Sequence, residues 1–163
     1  MVFRLRPFLL STPFAVLLVA QANGQGGELP VTNQRIVDFV RAHEGQKVGR
    51  GECWDLAAEA LNAAGAKWNG AYDFGTLVDW KRNDVMPGDI VQFANVEIEY
   101  REGNAISREQ YGQHTAVVMV VNGRGDFVIA QQNMRPIGKK VATGPLRMSN
   151  VRAGKLTFYR PVE

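Results

Sequence analysis

Cys53 is the residue of this sequence best suited to act as a nucleophile. The chain of 163 residues has one cysteine, so an internal disulfide is excluded. Leu56, Ala57 and Ala60 follow it at helical spacing, which predicts that Cys53 lies in the first turn of a helix with its thiol towards the packed face. The free N–H groups of a first turn favour a thiolate and can hold an oxyanion. We therefore predict a reactive thiol; the alternatives are an inert core thiol or a bridge to another chain.

A thiolate nucleophile needs a base, and the sequence has two histidines. His43 completes the apolar stripe of a predicted first helix, so we interpret it as a structural or surface residue. His114 begins the segment His-Thr-Ala-Val-Val-Met-Val-Val, which is typical of a buried strand. A titratable ring at the end of such a strand can face a site. We predict His114 as the base; the alternative is a histidine bonded to the adjacent loop.

The strand after His114 is expected to supply a third group. If a turn at Gly123–Arg124 joins the two strands, His114 faces Asn133 across the ladder, with Gln131 diagonal on the same face. Opposite Cβ atoms lie about 4.5–5.5 Å apart, so an amide oxygen can accept a hydrogen bond from the imidazole. A shift of the turn by one residue would bring a neighbouring side chain to that position instead. Asn133 or Gln131 is therefore expected to orient His114.

Four segments resemble a known family. Gly51–Trp54, followed by a helix, resembles the nucleophile segment of papain-like enzymes, and Pro87–Phe93 is similar to the Pro-Gly-Asp strand of NlpC/P60 and CHAP domains. His114–Val118 and Ile129–Asn133 resemble the histidine strand of CHAP domains and the strand that follows it. The order and spacing of the segments extend the resemblance over roughly residues 36–161.

This resemblance implies a papain-like α+β fold and, usually, amide hydrolysis in peptidoglycan. Cys53, His114 and Asn133 fall on the motif positions of the family. CHAP domains often carry glutamate at the position of Gln131, and an amide cannot stabilise an imidazolium as a carboxylate does. The Cys-Trp order also departs from the usual CHAP cysteine segment.

Two side chains next to the predicted pair are expected to contact substrate. They are Trp54, which follows the nucleophile, and Gln113, which precedes the base. Trp54 also belongs to a set of aromatic residues that would line a groove or, more simply, fill the core. The other members are Trp68, Tyr72, Phe74 and Trp80.

The order of predicted elements is helices first and an antiparallel sheet after them, which indicates an α+β fold with N-terminal helices packed on the sheet. Apolar periodicity predicts helices from Thr32 to Gly45 and from Cys53 to Gly65. Strands are predicted at 76–78, 90–93, 96–100, 114–121, 127–133 and 156–159. The polar segment Arg101–Gln113 lacks periodicity, so we expect a surface loop that forms a flap over the site.

The first 22 residues have the features of a signal peptide. Arg4 and Arg6 precede an apolar run at Phe8–Ala20, and Ala20-Gln21-Ala22 fits the cleavage rule. We expect cleavage after Ala22, a flexible lead-in at residues 23–31 and one domain at residues 32–163. The run is too short for a transmembrane helix, although an uncleaved anchor is the alternative. The expected location is secreted, periplasmic or in the cell envelope.

The charged residues of the sequence limit the classes of partner that can be expected. Loss of the two arginines of the leader lowers the formal net charge from +3 to +1, which gives no electrostatic reason to expect nucleic acid binding. Asp55 and Glu59 lack a histidine pair nearby and are expected on a solvated helix face rather than at a metal. We expect no cofactor and no metal, and a monomer that acts on a cell-wall peptide or another amide substrate.

The sequence thus predicts an exported cysteine hydrolase that cleaves amide bonds, foremost in peptidoglycan peptides. Two other functions are compatible with the same residues. One is a CHAP-like binding or toxin-like module that keeps the fold without turnover. The other is an acyltransferase or ester hydrolase that uses the same Cys-His pair.

Overall fold

A computed structural model describes residues 28–82 and 84–163. The predicted leader, its cleavage site after Ala22 and residues 23–27 of the lead-in lie outside the described residues. Among the described residues, no helix combines the length and the apolar character needed to cross a membrane.

Among the described residues, two α-helices precede the sheet. Helix α1 is Val31–Ala42 and buries Ile36, Val37 and Val40. Helix α2 is Cys53–Ala64 and buries a stripe of small and branched apolar residues. It ends at Gly65, whose φ of 74° is the left-handed conformation that glycine adopts at a C-cap. Both predicted helices are confirmed, although α1 ends three residues before Gly45.

In the part of the chain that the structure describes, six strands form one sheet in which every neighbouring pair is antiparallel. In chain order they are β1 Thr76–Val78, β2 Ile90–Glu102, β3 Ala105–Gly123, β4 Asp126–Gln131, β5 Ala142–Arg147 and β6 Val151–Arg160. Their spatial order is β1-β6-β2-β3-β4-β5. The predicted α+β arrangement of helices followed by an antiparallel sheet is therefore confirmed, whereas β5 has no counterpart among the predicted strands.

The prediction of a surface loop at Arg101–Gln113 is wrong. The ladder between β2 and β3 continues as far as the pair Glu102 and Ala105, so this segment is part of a long two-stranded arm. Its side chains are mostly exposed on both faces, which removes the apolar alternation that marks a half-buried strand. Arg101 Nε and Arg108 Nη2 each donate to the Glu99 carboxylate at 3.0 Å, and such pairs replace apolar contacts in the arm.

The sheet has an apolar core on each face. The first core joins both helices to one face and includes Ile36, Leu61 and Val117. The second core covers the other face, where Phe127 and Phe158 pack with their ring centroids 5.3 Å apart. Alternate residues of β3 therefore face different cores.

The Pro-Gly-Asp motif connects α1 to the sheet. Asp89 is completely buried and accepts hydrogen bonds from Arg160 at 2.8 and 3.0 Å, from Asn33 Nδ2 at 2.9 Å and from the Met86 N–H at 2.8 Å. Burial raises the pKa of Asp89, against the opposing effect of these donors. Gly88 has a φ of 85°, and a Cβ there would lie 2.5 Å from the Asn33 carbonyl oxygen. The motif therefore anchors the fold.

The last residues of the chain return to the first helix. Thr32 Oγ1 donates to Glu163 Oε1 at 3.3 Å, and Lys67 forms an antiparallel bridge with Val162. The polypeptide around Glu163 is thus adjacent to the start of α1.

Candidate active site

His114 lies in β3 opposite Phe93 of β2 and is 5% exposed. Its Nε2 is 2.8 Å from Gln131 Oε1, at the end of β4. Because a glutamine oxygen can only accept, this contact places the proton of a neutral imidazole on Nε2. Nδ1 is then the nitrogen that can take up a proton.

The ring of His114 is held by aromatic neighbours. Its centroid is 5.4 Å from that of Phe93, edge to face, and 5.0 Å from that of Tyr111. Burial lowers the pKa of His114, and this outweighs the hydrogen bond that the ring donates to Gln131 and the charge of Glu109, which act in the opposite direction. The environment therefore favours the neutral ring, the form that a general base needs.

His114 opens into a cleft of about 450 Å³. One wall is the part of the arm at residues 108–111, and the other is the loop after β4 at residues 133–135. The lining residues are Arg108, Glu109, Gln110, Tyr111, His114, Asn133, Met134 and Arg135. The segment predicted to be a flap therefore does border the site, as a pair of strands rather than a loop.

Cys53 is the first residue of α2, as predicted, and its thiol is free and half-buried. Glu52 is the N-cap. Cys53 is not among the described residues that line the cleft of His114. The helix that carries Cys53 belongs to the first core, whereas Phe93 and Tyr111, which contact His114, belong to the second. The two residues thus reach the end of the sheet from opposite faces.

The segment Gln131–Asn133 connects these two faces. Gln131 bonds to His114, while the next residue, Gln132, is buried and donates through Nε2 to the carbonyl oxygens of Glu52 at 2.7 Å and Val48 at 3.0 Å. Alternation at the end of a strand explains why successive side chains point to opposite faces. The strand of the predicted base is thereby tied to the residue before the predicted nucleophile.

Asn133 does not face His114, so the structure corrects that part of the predicted register. Strand β4 ends at Gln131, and Asn133 has a left-handed φ of 62°. Its Nδ2 donates to Glu52 Oε2 at 2.7 Å instead. The predicted diagonal residue, Gln131, is the one that bonds to the imidazole. The reason for the difference is that the ladder stops before Asn133.

Trp54 and Gln113 have partners within the protein. Trp54 is half-buried, its Nε1 donates to the Ala71 carbonyl at 2.8 Å, and its ring lies 5.6 Å from that of Trp68. Gln113 is exposed, and its Oε1 accepts from Gln92 Nε2 at 3.1 Å. Neither lines the cleft of His114 among the described residues. Their contact with substrate stays a prediction.

Asp55 was expected on a solvated helix face, and this expectation is wrong. It is 4% exposed, and its carboxylate accepts from the backbone N–H groups of Arg50 at 2.7 Å and Glu52 at 3.2 Å. Burial acts to raise the pKa of Asp55, but the hydrogen bond from the Arg50 guanidinium and those from the backbone lower it below its usual value. Asp55 therefore holds the loop that leads into Cys53. The spacing of an N-cap and a carboxylate three residues later is the signal that could have revealed it.

The remaining histidine lies apart from these groups. His43 follows α1, stacks on Phe39 with 4.2 Å between ring centroids, and has Nδ1 2.7 Å from the Phe39 carbonyl oxygen. Across the residues that the structure describes, no group of three or more His, Cys, Asp or Glu side chains could hold a metal ion.

Comparisons with known proteins agree with the fold. Residues 32–163 match the family described as "AIM3/BBC1 Cysteine proteinase-fold domain". A curated relative, "Altered inheritance of mitochondria protein 3" of Debaryomyces hansenii, is 28% identical over 157 residues, which cover 83% of this chain and 17% of the relative. The chain thus spans about a sixth of the length of that relative.

Three solved structures are also similar. "The crystal structure of Ly7917" has 21% identity and a TM-score of 0.47, covering 78% of this chain and 62% of the other. "The crystal structure of Ly7917 with the hydrolyzing product of MDP" has 18% identity and a TM-score of 0.49, with coverages of 79% and 62%. "Structure of NlpC2 from Trichomonas vaginalis" has 17% identity and a TM-score of 0.49, with coverages of 82% and 48%.

The family match covers most of the chain and names the cysteine proteinase fold, which confirms the predicted papain-like fold class. This chain belongs to the AIM3/BBC1 cysteine proteinase-fold domain family.

Proposed function

We propose that this chain is a cysteine hydrolase that cleaves amide bonds, with Cys53 as nucleophile and His114 as general base. The proposal requires these two side chains, which reach the end of the sheet from opposite faces, to meet at the substrate. The observation that carries the proposal is the 2.8 Å contact between His114 Nε2 and Gln131 Oε1. This contact fixes the tautomer in which Nδ1 is unprotonated, and it orients the ring as the third member of a catalytic triad does. The same strand end is bonded to the N-cap of the helix that Cys53 begins.

The chemistry would proceed in two acyl-transfer steps. His114 takes the thiol proton, and Cys53 Sγ forms a bond to the carbonyl carbon of the amide. The C–N bond then breaks, and the amine leaves with the proton from the imidazolium. Water, deprotonated by His114, attacks the thioester, which releases the acid and restores the thiol. The N–H groups in the first turn of α2 would stabilise the oxyanion in both steps.

Gln131 gives this pair a particular character. A glutamine orients the imidazole but carries no negative charge to stabilise the imidazolium that forms in the first step. Burial of His114 disfavours the imidazolium further. We therefore infer slower turnover than a carboxylate at position 131 would give.

The substrate class that we propose is a peptide amide. Peptidoglycan peptides, acyl transfer and ester hydrolysis are finer alternatives within the same chemistry, and the predicted export after cleavage near Ala22 stays a prediction. Each alternative uses the same thioester, so they differ only in the acyl donor and in the acceptor that releases the acyl group.

The test is Cys53-dependent turnover. Wild type, Cys53→Ala and His114→Ala would be incubated with a peptide library, with purified peptidoglycan and with activated esters, and the products identified by mass spectrometry. We expect loss of turnover in Cys53→Ala and a fall of about 10²–10⁴-fold in kcat/KM for His114→Ala. Circular dichroism of each variant checks the fold. Equal product from wild type and Cys53→Ala would contradict the proposal.

A binding module is the second candidate, and two observations favour it. The amide of Asn133, expected at the site, is committed to Glu52, and the partner of His114 is uncharged. A module that binds peptides without turnover would need neither a reactive thiol nor a polarised base. It predicts no Cys53-dependent product on any substrate, and equal peptide affinity for wild type and Cys53→Ala.

A further inference from the structure

The cleft at His114 has two walls that differ in their free charge. The arm wall presents Arg108 and Glu109, and the loop wall presents Arg135. A charge that is already paired inside the protein has little left to offer a ligand, whereas an unpaired one can bind an opposite charge. The polarity of the cleft therefore depends on which of these groups are engaged.

Both charges on the arm wall are engaged. Arg108 donates from Nε and Nη2 to Glu99 at 3.1 and 3.0 Å, and its Nε is also 3.7 Å from Glu97. The carboxylate of Glu109 accepts from Tyr111 Oη at 2.6 Å, and the neighbouring ring belongs to the second core. The arm wall is thus held together by its own ion pairs and hydrogen bonds.

Arg135 differs from both of them. Its side chain is exposed, and among the described residues it has no ion pair and no hydrogen-bond partner. A guanidinium presents donors in a planar fork that matches a carboxylate. Arg135 is therefore the charge in the lining that is available to a ligand.

The loop that carries Arg135 is braced on both sides. Glu52 accepts from Asn133 Nδ2 through Oε2 and from Lys139 Nζ through Oε1, each at 2.7 Å. Between these two contacts, Met134 and Gly138 form an antiparallel backbone bridge. The single carboxylate of Glu52, next to Cys53, thus holds the loop at two points. These contacts fix the position of the backbone that carries Arg135.

We propose that the cleft selects an acyl substrate with an anionic group close to the scissile amide, and that Arg135 is the residue that binds this group. The inference rests on the proposed function and adds the substrate class: acidic peptides, with a glutamate or aspartate side chain or a terminal carboxylate near the cleaved bond.

The test uses matched peptides that differ at one position, scanned across the scissile bond, with glutamate, glutamine or lysine there. For wild type, we expect kcat/KM to be about tenfold higher for the glutamate peptide than for its glutamine partner at one position. Arg135→Gln should reduce this ratio to about one, and Arg135→Lys should restore part of it. Arg124→Gln, which removes an exposed arginine from the turn between β3 and β4, is the matched control and should keep the full ratio.

The brace is tested separately. Glu52→Ala removes both contacts, whereas Glu52→Gln keeps one acceptor oxygen and places an NH2 donor at the other, so it can keep one of the two contacts. We expect Glu52→Ala to lower the preference for glutamate and to speed hydrogen exchange in the peptide that spans residues 133–140, with Glu52→Gln in between. Glu59→Gln, on the exposed face of the same helix, should change neither. No change in the preference for glutamate or in hydrogen exchange in either Glu52 variant would contradict the brace.

The outcomes separate this inference from the proposed function. Cys53-dependent cleavage with equal use of glutamate and glutamine peptides at every position, or an Arg135→Gln ratio unchanged from wild type, would overturn the inference alone. If no peptide is cleaved, the affinity of the Cys53→Ala protein for the labelled peptides is measured by fluorescence anisotropy, and this measurement tests the anionic subsite. Tighter binding of the glutamate peptide, lost in Arg135→Gln, supports the anionic subsite even though hydrolysis has failed. Equal binding of both peptides rejects it.

Discussion

Asp89 and His114 are both polar residues that the fold buries almost completely, and they relate to their surroundings in opposite ways. Asp89 has four hydrogen-bond donors around its two oxygens and is 0% exposed. His114 has one hydrogen bond, through Nε2, and borders a cleft. A buried polar group whose capacity is filled stabilises the fold, while one with an unused nitrogen beside a cleft is available for chemistry.

The comparison also explains why two equally recognisable motifs have different roles. The Pro-Gly-Asp motif and the histidine strand belong to the same family resemblance. Only the partners of their side chains reveal that the first connects α1, β6 and the turn before β2, whereas the second supports a site.

The largest effect on the free energy of unfolding is expected at Asp89, whose oxygens already accept four hydrogen bonds. Asp89→Ala leaves the Arg160 guanidinium without its buried partner, and breaking a buried ion pair from one side costs about 3–5 kcal/mol. Urea denaturation followed by circular dichroism should show this loss in the free energy of unfolding. Glu59→Ala, which removes an exposed carboxylate, should change it by less than about 0.5 kcal/mol. A loss below about 1 kcal/mol for Asp89→Ala would mean that the anchor is dispensable.

The glycine of the same motif provides a second test of the anchor. Gly88→Ala combines a positive φ with a contact to Asn33 that is far too short, and we expect a loss of about 3 kcal/mol. Gly103→Ala at the tip of the arm has a φ of 59° and open space around its Cβ, so only backbone strain of about 1 kcal/mol is expected. The difference between the two thermal midpoints measures the close approach. Equal midpoints would contradict it.

The role of His114, which has one ring nitrogen without a hydrogen bond to another described residue, should appear in the pH dependence of kcat/KM. Because burial lowers the pKa of His114, the acid limb of kcat/KM should have its midpoint below about 6.5. Gln131→Glu adds a charge that favours the imidazolium and should move this midpoint upward, whereas Gln131→Ala removes a hydrogen bond that raises the pKa and should move it down. An acid limb that is the same in all three proteins would exclude contact between position 131 and the base.

The same shift has a consequence for stability, with a definite sign. A histidine whose pKa is lower in the folded protein binds fewer protons there than in the unfolded chain. Its contribution to the free energy of unfolding is therefore present above about pH 6.5 and is lost as the pH falls through that value. Urea titrations of wild type and His114→Gln at a series of pH values should converge at the acid end. Curves that stay parallel would argue against a depressed pKa.

The smallest effect is expected at Asn133. Asn133→Gly keeps the left-handed backbone without strain and removes only an exposed hydrogen bond to Glu52, so the free energy of unfolding should change by about 0.5 kcal/mol or less. Asn133→Ala should cost about 1 kcal/mol more, because alanine tolerates a positive φ less well. Chemical denaturation of the two variants separates backbone from side chain. Equal losses would indicate that the backbone conformation relaxes in the alanine variant.

Local patterns were sufficient to predict the helices, the strand of His114 and the first residue of α2. Each of these is indicated by residues close together in the sequence. The signals are a stripe of small apolar side chains, a run of β-branched residues, and a glycine after the helix. The pairing arithmetic also held where it rested on the core, since Val117 pairs with Ala130 and Val118 with Ile129. Gln131 consequently lies beside His114.

The predictions that were wrong have a common physical cause. In each case the structure depends on contacts between residues distant in the sequence. The arm at Arg101–Gln113 is stabilised by pairs across two exposed strands and leaves no apolar periodicity to detect. Asn133 leaves the ladder because it bonds to Glu52, 81 residues away. Asp55 is buried because the preceding loop folds back onto its carboxylate. None of these partners is apparent from the neighbours of the residue itself.

The proximity of Thr32 and Glu163 has a consequence for rearranged genes. When the ends of a domain meet, its chain can be cut elsewhere and rejoined without losing the contacts that define the fold. A circular permutant opened between Gly103 and Asn104, at the tip of the arm, and closed by a short glycine-serine linker from Glu163 to Val31 would follow the same path through the sheet. The order of the proposed nucleophile and base along the gene would then be inverted, with His114 preceding Cys53, while their arrangement in space stayed as it is.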